Sequence, residues 1–312
     1  MRYGVCYKGS KNQIAEWIYS HFPKADNFYD LFAGGCAITQ RALMKQEYKR
    51  YFCNDIDADG IKLFLDAIYG KFQNETRWIS REDFFRLKDK EPYVKYAWSF
   101  GNNGRDYLYS KEIEPYKKAW HYAIFENDFS YAKELNIDFE PIEEVKDIYN
   151  KYICSKRIIE NTVKDYQLIK SGLVRQQQLE ALNRLQSLQS LQSLQSLQSL
   201  QSDYSEIPIL ENSVIYCDIP YSNTNAYGAK NINSFGYERF YSWCEKQKEI
   251  VLISEYQMPE DRFICVDEIE KPVMLNSGAD LKAIEKLFIP KHQKELWKKI
   301  KPVSYCQLEL FS

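Results

Sequence analysis

Two stretches of this chain alternate short apolar runs with helical patterns, and a long aromatic, charged segment separates them. In the first stretch Asn27-Phe28-Tyr29-Asp30-Leu31-Phe32 reads as a strand, Ala33-Gly34-Gly35-Cys36-Ala37 as a turn, and Ile38 to Leu43 as a helix. Tyr51-Phe52-Cys53-Asn54-Asp55 reads as a second strand, with further helices over Asn12 to Tyr19 and Ile61 to Ile68. The alternation resumes from Ile207, with a strand at Val214-Ile215-Tyr216-Cys217, a helix from Tyr237 to Lys248 and a strand at Ile250-Val251-Leu252-Ile253-Ser254. Strands alternating with helices predict an α/β fold, a mostly parallel sheet covered on both faces. Ligands of such sheets bind beyond the carboxyl ends of the strands, and three of these four strands bring an acid to that end: Asp30 near the end of the first, Asp55 closing the second and Asp218 just after the third.

Each strand end has a chemistry of its own. Glycines between a strand and a helix let a ligand approach the backbone, although the same turn also serves plain topology. An acid closing the next strand, such as Asp55, suits a ribose diol, or it caps the following helix. Asp218-Ile219-Pro220-Tyr221 offers a carboxylate that accepts hydrogen bonds, a carbonyl on Ile219 held extended by the following proline, and an aromatic face for a planar base. Together these can grip an exocyclic amino group on a nucleobase.

Composition bounds the function classes. A chain of 312 residues, 45% hydrophobic and 28% charged, has room for one core and a smaller second domain. No run approaches the length of a membrane span and the start lacks a signal peptide's apolar block, so no membrane association and a cytoplasmic location are expected. The eight cysteines form no Cys-x-x-Cys pair and the three histidines lie far apart, which predicts neither a metal site nor a disulfide framework. A net charge of -2 confines any nucleic-acid contact to local patches: Lys117-Lys118 beside Trp120 and His121, Lys156-Arg157, or Lys291, Lys294, Lys298, Lys299 and Lys301.

Leu-Gln-Ser occurs six times in tandem from Leu185 to Ser202, with Leu179 and Leu182 in the same phase. In an α-helix a three-residue step advances 300°, so the leucines would circle the axis and no face could stay buried. Leucine and glutamine are good helix formers, and a lone spacer helix is the expectation, ahead of a wound partner helix or a disordered linker. Units of nine nucleotides can be gained or lost in frame, and a fold tolerant of varied copy number is expected.

Five motifs in order carry a resemblance: Tyr7-Lys8-Gly9-Ser10-Lys11, Asp30-Leu31-Phe32-Ala33-Gly34-Gly35, Asn54-Asp55-Ile56-Asp57, Ser99-Phe100-Gly101-Asn102-Asn103 and Asp218-Ile219-Pro220-Tyr221. The chain resembles the Dam-type (D12 class, α arrangement) adenine-N6 DNA methyltransferases of the phage or orphan bacterial kind. The likeness covers residues 1 to about 70 and about 205 to 290 well, and the middle thinly. It departs at Cys36, where the family commonly has a small glycine, and at Ile219, where it most often has proline.

The resemblance implies a Rossmann-like S-adenosylmethionine-dependent methyltransferase fold with a mostly helical inserted target-recognition region. The divisions expected are a cofactor-binding half of the core at 1-70, the insert at 71-178, the repeat spacer at 179-204, a catalytic half at 205-302 and a tail at 303-312. It implies S-adenosylmethionine contacts at Tyr7, Lys11, Asp30, Phe32, Gly34, Asp55, Ile56 and Asp218, and catalysis by Asp218, Ile219, Pro220 and Tyr221 on an adenine flipped from double-stranded DNA. Ser99, Asn102 and Asn103 are expected beside the substrate base. N4-cytosine methylation stays open, as do methylation of RNA or protein glutamine and a silent DNA-binding relative. Finally, Gln307-Leu308-Glu309-Leu310-Phe311 resembles the motif that docks bacterial replication and repair proteins onto the sliding clamp, with anchors Gln307, Leu308, Leu310 and Phe311, although alternating apolar residues also suit a final edge strand.

Overall fold

The structure, a computed structural model, describes residues 3–137, 179, 181–220, 235–272 and 282–300. Tyr221, Lys156-Arg157, Lys301 and the tail motif Gln307 to Phe311 lie outside the described residues. The chain divides into two compact units. The first comprises Met1–Val5, Gly9–Leu65 and Ser187–Ser312, and the second Cys6–Lys8 and Asp66–Gln186.

The first unit holds one seven-stranded sheet in the order β3-β2-β1-β4-β5-β7-β6. β1 (Asn27–Asp30) pairs in parallel with β2 (Arg50–Asn54) on one side and β4 (Ser213–Asp218) on the other. β3 (Leu197–Leu200) extends the sheet beyond β2, and β5 (Ile250–Glu255) beyond β4, both in parallel. β7 (Lys282–Pro290) then runs antiparallel between β5 and β6 (Phe263–Pro272). The chain leaves β1 toward β2 on one side and continues through β4 toward β5 on the other, so the topological switch point falls between β1 and β4, where such sheets bind ligands. All of β1 and β5 is buried, as strands covered on both faces must be, and buried side chains such as Phe28, Ile215 and Val251 each contribute about 1.5–3 kcal/mol.

Of the helices, α1 (Ala15–Ser20) precedes β1, α2 (Ala37–Lys45) joins β1 to β2, and α3 (Asp59–Ile68) follows β2. The second unit contains α4 (Arg81–Leu87), α5 (Pro92–Ala97), α6 (Glu114–Phe125) and α7 (Ser130–Glu134), around aromatic contacts such as Trp78 with Trp98 and with Tyr109. In the first unit α8 (Tyr237–Lys246) leads into β5, and α9 (Lys294–Ile300) follows β7. Among the described residues no helix is long and apolar enough to cross a membrane.

The Leu-Gln-Ser repeat is not a lone α-helix. Leu185–Ser190 and Gln192–Ser196 are 3-10 helices, and the next residues, Leu197–Leu200, form β3 at the sheet edge. A 3-10 helix has 3.0 residues per turn, so a three-residue repeat stacks its leucines on one line instead of spreading them round the axis. Leu185 and Leu188 in the first 3-10 segment are accordingly buried. The Ser193 hydroxyl donates to the Leu43 carbonyl at 2.7 Å, pinning the second 3-10 segment to the end of α2.

Candidate active site

The first loop takes its shape from two left-handed residues, Gly34 (φ 47°) and Cys36 (φ 59°). Cys36 adopts the conformation a glycine would take at lower cost, so its substitution for the family's glycine keeps the turn. Gly4 (φ 71°) seals the loop from outside: a Cβ there would lie 2.3 Å from the Gly35 carbonyl oxygen, to which Val5 N–H donates at 2.8 Å.

Asp30 ends β1 at 1% exposure. Its Oδ2 accepts from Thr39 Oγ1 at 2.7 Å and Thr39 N–H at 3.1 Å, while its Oδ1 is buried with no hydrogen-bond partner among the described residues. Asp55, one residue past β2, accepts from Gly34 N–H at 2.8 Å through Oδ2 and from Asp57 N–H at 3.0 Å through Oδ1. It therefore braces the first loop against the second, and the helix-capping role falls to Asp57, which accepts from Asp59 N–H at 3.2 Å. Ile56 is 73% exposed beside it, a large apolar side chain left uncovered.

Asp218 ends β4, and its Oδ1 lies 2.7 Å from Lys11 Nζ, with the lysine side chain 5% exposed and the carboxylate 20%. The charges interact. Burial pushes the Asp30 carboxyl up to about 7, Thr39 opposing and Asp218 and Asp55 adding to the rise. Burial also lifts Asp55 to about 6, against its two backbone donors and with Asp57 and Asp218 adding. Ile219 is buried in the core, and the Tyr237 hydroxyl donates to the Pro220 carbonyl at 2.8 Å. Phe32 packs against Tyr204, Phe235 and Phe240, at 5.4, 5.7 and 5.9 Å between ring centroids.

Lys11, Asp30, Gly34, Asp55, Ile56 and Asp218 thus belong to one unit, at or just beyond the carboxyl ends of β1, β2 and β4. Tyr7 belongs to the second unit, its ring 5.1 Å from that of Tyr96. So does the loop from Ser99 to Asn103. Ser99 is buried and accepts from Gly104 N–H at 2.9 Å, Asn102 (φ 56°) donates to the Tyr96 carbonyl at 2.9 Å, and Asn103 donates to Asp106 Oδ2 at 2.8 Å. All three side chains build the loop, and Phe100 is left exposed on it.

Thr39 and Gly4 carry no signal in the sequence, and Asn54 stands there only as the first residue of Asn54-Asp55-Ile56-Asp57, with no role attached. An amide closing a strand and a threonine inside a helix carry no spacing signal, and the reason for Gly4 lies in a contact with a loop more than thirty residues away. Among the proposed phosphate contacts, Lys117 is buried, with Nζ 5.4 Å from the centre of the Trp120 ring, and burial lowers its pKa to about 7, so it is not a surface cation. Among the described residues no group of three or more His, Cys, Asp or Glu side chains could hold a metal ion.

No curated protein matches the chain. The signature of the D12 class N6 adenine-specific DNA methyltransferases matches it over residues 7–250, well over half its length. With a seven-stranded methyltransferase-type sheet and acids closing β1 and β4 at its switch point, the chain belongs to the D12 class of N6 adenine-specific DNA methyltransferases.

Proposed function

We propose that the chain transfers a methyl group from S-adenosylmethionine to N6 of an adenine turned out of double-stranded DNA, in the pocket bounded by Lys11, Asp30, Gly34, Asp55, Ile56 and Asp218. The observation that carries this reading is the convergence of three mutually interacting carboxylates at the ends of β1, β2 and β4. Such a wall suits a ligand with positive charge. S-adenosylmethionine supplies one, together with a methyl on a cationic sulfur that makes it electrophilic. Asp30 Oδ1, without a hydrogen-bond partner among the described residues, suits an ammonium donor, Asp55 a ribose diol, and exposed Ile56 the face of an adenine ring. Phe32 supports the pocket from its aromatic cluster.

Asp218 is the catalytic acceptor in this reading. The adenine amine is a weak nucleophile because its lone pair is delocalised into the ring. Hydrogen bonds from N6 to Asp218 and to the Ile219 carbonyl favour a tetrahedral nitrogen, and the carboxylate stabilises the positive charge that develops there. Lys11, whose Nζ lies 2.7 Å from Oδ1, fixes the orientation of the carboxylate. Pro220 holds the strand exit, and Tyr221 supplies the stacking face. The second unit reads the target sequence, with Phe100 presented on its Ser99 to Asn103 loop.

Asp218→Ala tests the assignment. Turnover is expected to fall by about 10²–10³ or more, as when a charge-stabilising group is removed, while S-adenosylmethionine binding stays measurable by calorimetry. Unchanged turnover in a folded variant would contradict the assignment.

A further inference from the structure

Asn54, the last residue of β2, is 1% exposed and spends its whole side chain joining strand ends. Its Nδ2 donates to the Leu31 carbonyl at 3.1 Å and to the Ser202 carbonyl at 3.0 Å, while its Oδ1 accepts from Ser202 N–H at 3.0 Å. Its own carbonyl accepts from Ala33 N–H, at the base of the glycine loop, at 2.9 Å. Two residues on, the Ile56 carbonyl accepts from the Gln201 side chain at 3.3 Å. The final Leu-Gln-Ser unit is therefore clasped to the residues on either side of Asp55, the acid that holds Gly34.

We infer that Asn54 is a positioning residue for the cofactor pocket, and that the last Leu-Gln-Ser unit is a built part of that pocket, setting the place of Asp55 and Ile56. The inference rests on the reading of this pocket as the S-adenosylmethionine site. Only an amide side chain of this length meets the geometry: it donates to two carbonyls and accepts from an N–H, where a carboxylate would repel both carbonyls. The bonds to Ser202 use its backbone, and every unit ends in Gln-Ser, so whichever unit stands last presents the same partners to Asn54 and Ile56. Sequence repetition and a fixed pocket are thereby compatible.

The test uses the full chain, titrated calorimetrically with S-adenosylmethionine, with kcat and cofactor KM measured on DNA. Asn54→Ala is expected to raise the cofactor Kd and KM about tenfold, the scale of a lost buried hydrogen bond, with kcat at saturating cofactor changed by less than about twofold. Asn54→Asp should behave likewise. Gln201→Ala, a change at an exposed side chain that leaves folding intact, is expected to raise both about two- to threefold, and Gln195→Ala, an exposed glutamine in mid-repeat, to change neither. Asp55→Ala serves as the reference for the pocket. If Asp55→Ala weakens binding while folded Asn54→Asp and Gln201→Ala bind as the unaltered protein does, the clasp has no positioning role. If Asp55→Ala leaves binding unchanged, the cofactor reading fails instead. Should the Asn54 variants not fold, Gln201→Ala decides, and an unchanged Kd there overturns the inference.

Discussion

Two carboxyl groups of the proposed pocket hold protons that an ordinary aspartate would lose. Burial places Asp30 at about 7 and Asp55 at about 6, well above the unfolded value near 3.9. Between about pH 4 and 7 the folded protein thus binds more protons than the unfolded chain, and its stability falls as pH rises through that window. A cationic ligand acts in the opposite sense, because it favours both ionised forms. Binding of S-adenosylmethionine is therefore expected to release protons between about pH 5 and 7 and to tighten as pH rises across that range. Calorimetry in buffers of different ionisation enthalpy measures the release, and Asp30→Asn should diminish it. Proton uptake, or affinity that weakens with rising pH, would contradict the assignment of Asp30 to the pocket. Asp55 and Asp218 were legible in the sequence because each closes an apolar run, and Asp30 because its strand leads into the glycine turn. Thr39 was not, and Asn54 was visible only as a motif residue without a role, since nothing local marks a residue whose partners come from other elements.

At the scale of elements, β1, β2, β4 and β5 were readable because apolar runs bounded by turns have few alternative fates. β6 and β7 were not anticipated: they are charged and antiparallel, with a bulge between Cys265 and Asp267. Asp267 instead anchors α1, accepting from Trp17 Nε1 at 2.8 Å and lying 3.0 Å from His21 Nε2. The repeat departs from the expected α-helix because its three-residue step matches the 3.0 residues per turn of a 3-10 helix. This changes what copy number should do. Two added units can bulge at small entropic cost, about 0.6 kcal/mol per doubling of loop length, and an eight-unit chain is expected to keep methyl transfer within about threefold. Removing two units shortens the path by about 12 Å at the 3-10 rise and forfeits buried leucines, at about 1.5–3 kcal/mol each, so a four-unit chain should melt at lower temperature. Tolerance of shorter versions, expected from the sequence alone, does not follow. Loss of activity on lengthening, or equal melting temperatures for four and six units, would contradict the packed arrangement.

At the scale of the molecule, a net charge of -2 excludes a broadly basic surface as the means of holding DNA. Specificity must come from local contacts, and the family's chemistry requires that one adenine be taken out of the duplex. Family membership answers the choice between adenine N6 and cytosine N4 that the tetrapeptide at Asp218 left open. It also accounts for the long interruption between the β2 and β4 regions, since the match runs through it from residue 7 to 250. The most direct measurement incubates the full chain with methyl-labelled S-adenosylmethionine and double-stranded DNA, digests the DNA to nucleosides, and identifies the labelled base by chromatography and mass spectrometry. The expected result is label in N6-methyladenine, lost with Asp218→Ala. Label in N4-methylcytosine, or a folded protein that labels no DNA of any sequence, would contradict the account.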